Sequence, residues 1–434
     1  MTNILIAVVL TWLCSGQSNM ELPLSRCLDA VGDDIREYCS PDVSYMRVPM
    51  AYAFDGPCAD IPECSFQTLD SPGTALSWGA LCYYLGRGLN EYDGRSVSII
   101  NNSIGGSPIE AWLPEECLPD YALEELRECR DPDWMAATLY HNAHLYSDWQ
   151  NAHNALPENT AARWRRIKMF SDWGLEDGKE VFGSHFLKRK FRLGRRQAAS
   201  EAVLHLGAMR DADSVFVNGH YVGNTTYMYP PRNYKVPAEY LRRGRNVVEI
   251  HLYAAENAAG FVPDKEYSLE PAKGRKVNLS KGWLYRPGRR MPRRDPQVFL
   301  QYKPSGLYNA MLAPLKGEDI EGVVWYQGES NTGRAGDYAG LLKALISSWR
   351  SLFGKPDLPF YIVELAAFEH SELETAETSG WVALQDAQRQ VCEEVPGVYL
   401  IPNRDLGEWN DIHPQDKKTL GQRLVKTIIE NQKP

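Results

Sequence analysis

Residues Cys14 to Leu24 read CSGQSNMELPL and follow the aliphatic run ILIAVVLTWL, Ile4 to Leu13. A long apolar run that breaks into small polar residues has the pattern of a strand buried on both faces entering a turn. Ser18 then sits at the carboxyl end of a strand, the edge at which open α/β sheets place their ligands and chemistry. No basic segment precedes the run, and cleavage behind it would fall next to Ser18. A core strand is therefore preferred to a signal peptide.

Outward from this stretch, strands alternate with helices. RSVSIINNSIGGSP runs from an apolar strand, Val97 to Ile100, into a glycine-rich turn. ALSWGALCYYLGRGLNEY before it has helical spacing, with Leu76, Ala80, Tyr83 and Tyr84 on one face. DPDWMAATLYHNAHLYSDWQNAHNAL reads as one helix or a pair. In the last third, GVVWYQGES, LPFYIVEL and GVYLIP read as strands, and AGDYAGLLKALISSWRSLF, GWVALQDAQRQVCEEV and KKTLGQRLVKTIIENQ as helices. Such alternation implies a mostly parallel sheet covered by helices.

The middle of the chain differs. HFLKRKFRL, EAVLHLGAM, DSVFVNGHYVG and NVVEIHLYAAE are short strand candidates without helices between them, and Asn-Gly in VNGHYVG is a strong hairpin signal. Charge changes with the pattern. Residues 1–162 carry a net charge of -16, residues 163–294 of +14 and residues 295–434 of -7, within a chain of 434 residues and net charge -9. These shifts divide the chain at 1–162, 163–294 and 295–434, an α/β domain made from both ends and interrupted by a β-sandwich. The basic segment raises nucleic acid as a partner, but its charges are interleaved with strand-like runs, which argues against one. Its densest cluster, RPGRRMPRR (Arg286 to Arg294), is broken by proline and reads as a solvated loop. Nine cysteines cannot all pair, and none shows CxxC spacing. No other stretch is long and apolar enough to span a membrane.

Three predicted strand ends converge: Ser18, the Gly105-Gly106 turn and YQGESN (Tyr326 to Asn331). NDIHP (Asn410 to Pro414) precedes the last helix. A serine becomes a useful nucleophile when a base takes its proton, and histidine suits that role near neutral pH. The oxyanion formed on an attacked carbonyl needs donors such as backbone N–H groups and side-chain amides. The four features contain each of these parts. His141, His144 and His153 share a predicted helix, but their spacing reads as that of ordinary helix histidines. Trp12, Trp112 and Trp325, beside the motifs, read as core.

CSGQSNMEL, IGGSPIEAW, SGLYNAMLAPL, WYQGESN and DIHP together resemble the motifs of the sialate O-acetylesterases, a branch of the SGNH hydrolases; related acetylxylan esterases share the Gly-Gln-Ser-Asn and Gln-Gly-Glu blocks. VFVNGHYVG and RNYKVP resemble the β-sandwich inserted in these enzymes. The resemblance implies a three-layer α/β/α SGNH domain with a jelly-roll-like insertion, and the charge reversal and strand-only pattern of residues 165–290 predict that this insertion supplies no catalytic side chain. It implies Ser18 as nucleophile, His413 as general base, and an oxyanion hole from the N–H groups of Ser18 and Gly106 with Asn331 or Gln327. Glu329 is expected to hold the loops of the site. Many relatives place the histidine's aspartate three residues before it. Here that position is Asn410, so Asp411 is the expected orienter, with Asp405 or an unassisted Ser–His dyad as alternatives.

The implied activity is hydrolysis of O-acetyl esters of carbohydrates without metal or cofactor. Sialate esters are the first candidate substrate, and acetylated xylan or other plant glycans the second. A carbohydrate-binding protein on an inactive hydrolase scaffold is the reading from another class. Members of the family are often periplasmic or secreted, and the strand-like start of this chain resembles the last strand of the lead-in that precedes their serine.

Overall fold

The computed structural model describes residues 9–28, 38–157, 159, 161–226, 230–263, 265–368, 380–408 and 411–431. The start of the aliphatic run and Asn410 lie outside these residues. The chain divides into two compact units, one formed by the residues up to Ala136 and from Phe299 on, the other by Ala137–Val298. The second unit takes in most of the helix Pro132–Ala155, a stretch assigned from sequence to the first segment.

The first unit is built on a seven-stranded sheet. Its order is Val398–Ile401, Phe360–Val363, Ile320–Tyr326, Leu10–Gly16, Val97–Ser103, Ser40–Arg47, Gln67–Leu69. Every pairing is parallel except that of the short edge strand Gln67–Leu69. Leu10–Gly16 lies in the middle and is buried along its length apart from half-buried Thr11, as a strand covered on both faces must be. Trp12, Trp112 and Trp325 are wholly buried, in keeping with their reading as core. Trp325 meets Trp112 and Trp349 edge to face. The helices Ala80–Asp93, Ala335–Leu352, Gly380–Glu394 and Lys417–Asn431 fall where the apolar spacing predicts them.

Register positions the site. Gly16 stands level with Tyr326 on one neighbouring strand and with Ser103 on the other. The residues that follow these three, Gln17-Ser18, Gln327 and Ile104-Gly105, therefore leave the sheet side by side at its carboxyl edge.

The second unit contains two larger antiparallel sheets. The six-stranded one has the order His220–Thr225, Ala212–Val217, Gly244–Ala254, Phe182–Leu193, Trp283–Met291, Arg165–Ile167. The four-stranded one has the order Asn233–Val236, Ala202–Leu206, Tyr267–Pro271, Val277–Asn278. Leu187, Val248 and Ile250 of the first sheet and Leu204, Val236 and Leu269 of the second enter one apolar core. The Asn218-Gly219 turn has positive φ at both residues, the geometry its sequence predicts. The arginine-rich stretch corrects the sequence reading. Arg286 to Met291 belong to the strand Trp283–Met291 and are not a loop. Pro287 is accommodated because the ladder shifts register there, so its missing N–H interrupts no regular pairing. Among the described residues no helix is long and apolar enough to cross a membrane.

Candidate active site

Ser18 opens a one-turn helix, Ser18–Glu21, directly beyond the central strand. Gly16 makes this possible. Its φ is +132°, and a Cβ there would lie 2.1 Å from the Tyr326 carbonyl oxygen. The neighbouring strand end can approach this closely only against glycine. Gln17 N–H then donates to Tyr326 O at 3.0 Å.

His413 Nε2 lies 2.9 Å from Ser18 Oγ, so the two residues that the motifs single out are in hydrogen-bond contact across 395 positions of sequence. Burial pushes the imidazole down to about 4. The Asp411 carboxylate opposes this, and Lys417 and Arg26 reinforce it. His413 is therefore neutral at pH 7 and able to accept a proton. Asp411 Oδ1 accepts the His413 backbone N–H at 2.9 Å and stands 3.8 Å from Nδ1. Asp405, the alternative orienter, is held by Arg423 through two hydrogen bonds of 2.6 Å.

Asn19, the residue after the serine, holds the site together. Its Nδ2 donates to Glu329 Oε1 at 2.7 Å and to the Ile412 carbonyl at 2.9 Å, and its Oδ1 accepts from Lys417 Nζ at 2.7 Å. The amide thus anchors the loop that carries His413 and links two buried charges. Burial pushes Lys417 down to about 8 and raises Glu329 above the usual carboxylate range. Among the described residues, buried Glu329 Oε2 has no hydrogen-bond partner.

Gly106 sits in the turn beyond the next strand with φ +77°, and a Cβ on it would strike Tyr302 Oη at 2.2 Å. The turn is fastened by Glu21 Oε2, which accepts the Gly105 N–H at 2.6 Å, and by Ser330 Oγ, which donates to Gly106 O at 2.9 Å. A Cβ on Gly105 would lie 3.5 Å from Ser18 Cβ, so turn and serine are neighbours. Among the described residues, neither the Ser18 nor the Gly106 N–H donates to a protein acceptor.

The side-chain amides expected beside them are engaged elsewhere. Gln327 is wholly buried, and its Nε2 lies within donating distance of Asn331 Oδ1 (2.7 Å), Gln17 Oε1 (3.1 Å) and Ser107 O (3.2 Å). Asn331 Nδ2 donates to Glu110 Oε2 at 2.8 Å, and its Oδ1 also accepts the Ile109 N–H at 3.0 Å. Both residues brace the loops around the serine, and Gln327 has no exposed surface. Gln17, Asn19, Glu21, Glu110 and Lys417 are the site residues that the sequence reading did not assign. The first three lie within its leading motif.

Beside the Gly106 turn, a cavity of about 360 Å³ is lined by Tyr121, Tyr302, Ser330, Asn331 and Arg334 among others. The exposed Arg334 guanidinium lies 4.1 Å from the Tyr121 ring centroid, and Tyr121 Oη donates to Glu110 Oε1 at 2.7 Å. The helix histidines do not gather here or with each other. His141 Nε2 is 3.1 Å from Pro296 O, His144 Nδ1 2.8 Å from Tyr140 O, and His153 Nε2 3.0 Å from Ser184 Oγ.

Residues 297–430 match the family model described as carbohydrate esterase, sialic acid-specific acetylesterase. The sialate O-acetylesterase of Rattus norvegicus is 33% identical over 135 residues, 28% of this chain and 25% of that protein. The human sialate O-acetylesterase is 32% identical over 136 residues, 28% of this chain and 26% of that protein. The matches thus span about a quarter of the length of these curated relatives. A carbohydrate acetylesterase of Xanthomonas citri has a similar fold, with a TM-score of 0.51 and 18% identity over 96% of this chain and 55% of that one.

Proposed function

We propose that this chain, which belongs through residues 297–430 to the family of carbohydrate esterases and sialic acid-specific acetylesterases, is a serine esterase that removes acetyl groups from sugars. The observation that carries the reading is the 2.9 Å contact between Ser18 Oγ and the neutral imidazole of His413. Ser18 attacks the acetyl carbonyl while His413 Nε2 takes its proton. The N–H groups of Ser18 and Gly106 receive the oxyanion. His413 returns the proton to the departing sugar oxygen, then activates the water that releases acetate. Asp411 favours the imidazolium formed in each step, and Asn19 keeps His413 in reach through the Ile412 carbonyl. The residues at the carboxyl edge form an SGNH-type site, and the second unit is read as its inserted β-sandwich.

The cavity beside Gly106 is the place for the sugar. Its aromatic and polar lining suits a pyranose, and exposed Arg334 offers a cation to the carboxylate of a sialate. Glu110 and Glu125 share this lining, so a sialate carboxylate meets Arg334 in competition with carboxylates of the protein. The test is acetate release from O-acetylated sialic acid and from acetylated xylan, with Ser18→Ala as control. Preference for the sialate that Arg334→Gln reduces supports it as substrate, and equal rates favour the plant-glycan alternative. Absence of hydrolysis of every ester, p-nitrophenyl acetate included, would leave the inactive carbohydrate-binding reading.

A further inference from the structure

The second unit carries a cavity of about 520 Å³ on the outer face of its six-stranded sheet. Leu187, Val248, Ile250 and Leu252 point into the core. Residues alternating with them, Phe186 and Lys188 on one strand and His251 and Tyr253 on its neighbour, line the cavity. The outer face of an antiparallel sheet is ordinarily just a solvated surface. Here it is concave and cationic.

A bulge accounts for this. The Trp283–Met291 strand pairs with Phe182–Leu193 as far as Pro287 opposite His185 and resumes at Arg290 opposite Gly183, with one residue extra. Residues three apart on a regular strand face opposite sides. The bulge brings both Arg286 and Arg289 to the cavity. Gly288 allows it, since a Cβ there would lie 2.3 Å from Ser184 Oγ. The Arg289 N–H donates to the same Ser184 Oγ at 2.9 Å.

The cations are incompletely partnered. Among the described residues, the buried Nε–H groups of Arg286 and Arg289 meet no acceptor. Such donors are costly to bury and call for an anion. Among the described residues, the one carboxylate lining the cavity, Glu249, is already paired with Lys188. Trp164 is 39% exposed, with Lys188 Nζ 4.9 Å and the Arg286 guanidinium 5.4 Å from its ring centroid. An aromatic surface beside two guanidinium groups, each with an unpaired Nε–H among the described residues, in a space sized for one or two sugar rings, differs from the open basic stripe that a nucleic-acid backbone requires.

We propose that this cavity binds an acidic saccharide, a pyranose resting on Trp164 with its carboxylate or sulfate on Arg286 and Arg289. This binding is independent of the esterase reading. The test is calorimetric titration of the whole chain with N-acetylneuraminic acid, glucuronic acid and glucose 6-sulfate. Glucuronamide and glucose serve as neutral counterparts, and sodium sulfate and a DNA duplex as bare and polymeric anions. At least one acidic sugar should bind with Kd about 1 mM or tighter, and which ones bind separates carboxylate from sulfate. Arg289→Gln and Trp164→Ala should each weaken binding about tenfold, leave p-nitrophenyl acetate hydrolysis unchanged and retain the parent circular dichroism. Arg334→Gln should not alter this binding. Equal affinity for glucuronic acid and glucuronamide would overturn the proposal. So would sodium sulfate binding as tightly as the sugars, DNA displacing them at lower concentration, or no saturable heat.

Discussion

Two clusters of buried charge, one in each unit, differ in how completely they are partnered. In the second unit, Arg232 is wholly buried and donates to Asp213 Oδ1 at 2.8 Å, to Asp211 O at 2.7 Å and to Pro230 O at 2.8 Å, while Tyr234 Oη donates to Asp213 Oδ2 at 2.6 Å. Both carboxylate oxygens of Asp213 are satisfied. In the first unit, the Lys417–Asn19–Glu329 chain leaves Glu329 Oε2 without a partner among the described residues and reaches, through Ile412, a largely buried histidine on a serine. A closed cluster fixes a fold. An open one that ends at the proposed nucleophile has the form of a site, because a group held ready for substrate cannot also be saturated by protein.

The comparison is broken most forcefully at the serine. Ser18→Ala should lower esterase turnover at least about a thousandfold without changing the melting temperature, measured by acetate release and by calorimetry on the same sample. Asn19→Ala comes next, because it strips partners from Glu329, Lys417 and Ile412 O together. We expect turnover to fall about a hundredfold, with a loss of stability of about 2 kcal/mol. Its effect should exceed that of removing any one of those three contacts. Arg232→Met should act in the opposite sense, destabilising the second unit by about 3–5 kcal/mol in urea melts, since Asp213 is left as an unpaired buried charge. The turnover of the folded fraction should match that of the parent.

The smallest effects sharpen the histidine's surroundings. The base must be neutral, so activity is lost as pH falls through its pKa. With that value pushed down to about 4, kcat/KM should stay level from neutrality to about pH 5 and fall only below it. Asp411 raises the His413 pKa, so Asp411→Asn should lower turnover about tenfold and move the acid limb to still lower pH. Asp405→Asn, which loses only an exposed pair with Arg423, should leave both rate and profile within about twofold of the parent.

Much of the fold is legible because burial leaves a period. Leu10–Gly16 reads as a central strand through its unbroken apolar run, and Ala335–Leu352 as a helix through its apolar face. Ser40–Arg47 and Gln67–Leu69 do not, since charged, proline and polar residues break their alternation and pairing at the sheet's edge alone makes them strands. Ser18 and His413 are legible as residue types in order. The tasks of the amides are not. Asn19, Gln327 and Asn331 offer the same donors and acceptors, and only their three-dimensional neighbours show what each one holds. Lys417, in KKTLGQRL, reads as a solvated helix start and proves to be 1% exposed. Arg286 and Arg289 read as loop charge until the bulge is seen.

The account stands on Ser18 being the residue that bonds to the acyl group. The direct measurement is peptide mass spectrometry after reaction with a fluorophosphonate, which phosphonylates an activated serine hydroxyl irreversibly. The account predicts one adduct, on the peptide containing Ser18, formed in step with loss of esterase activity and absent from Ser18→Ala and His413→Ala. Full inactivation with the adduct on another residue, or a labelled Ser18 in enzyme that still hydrolyses acetyl esters at the parent rate, would contradict it.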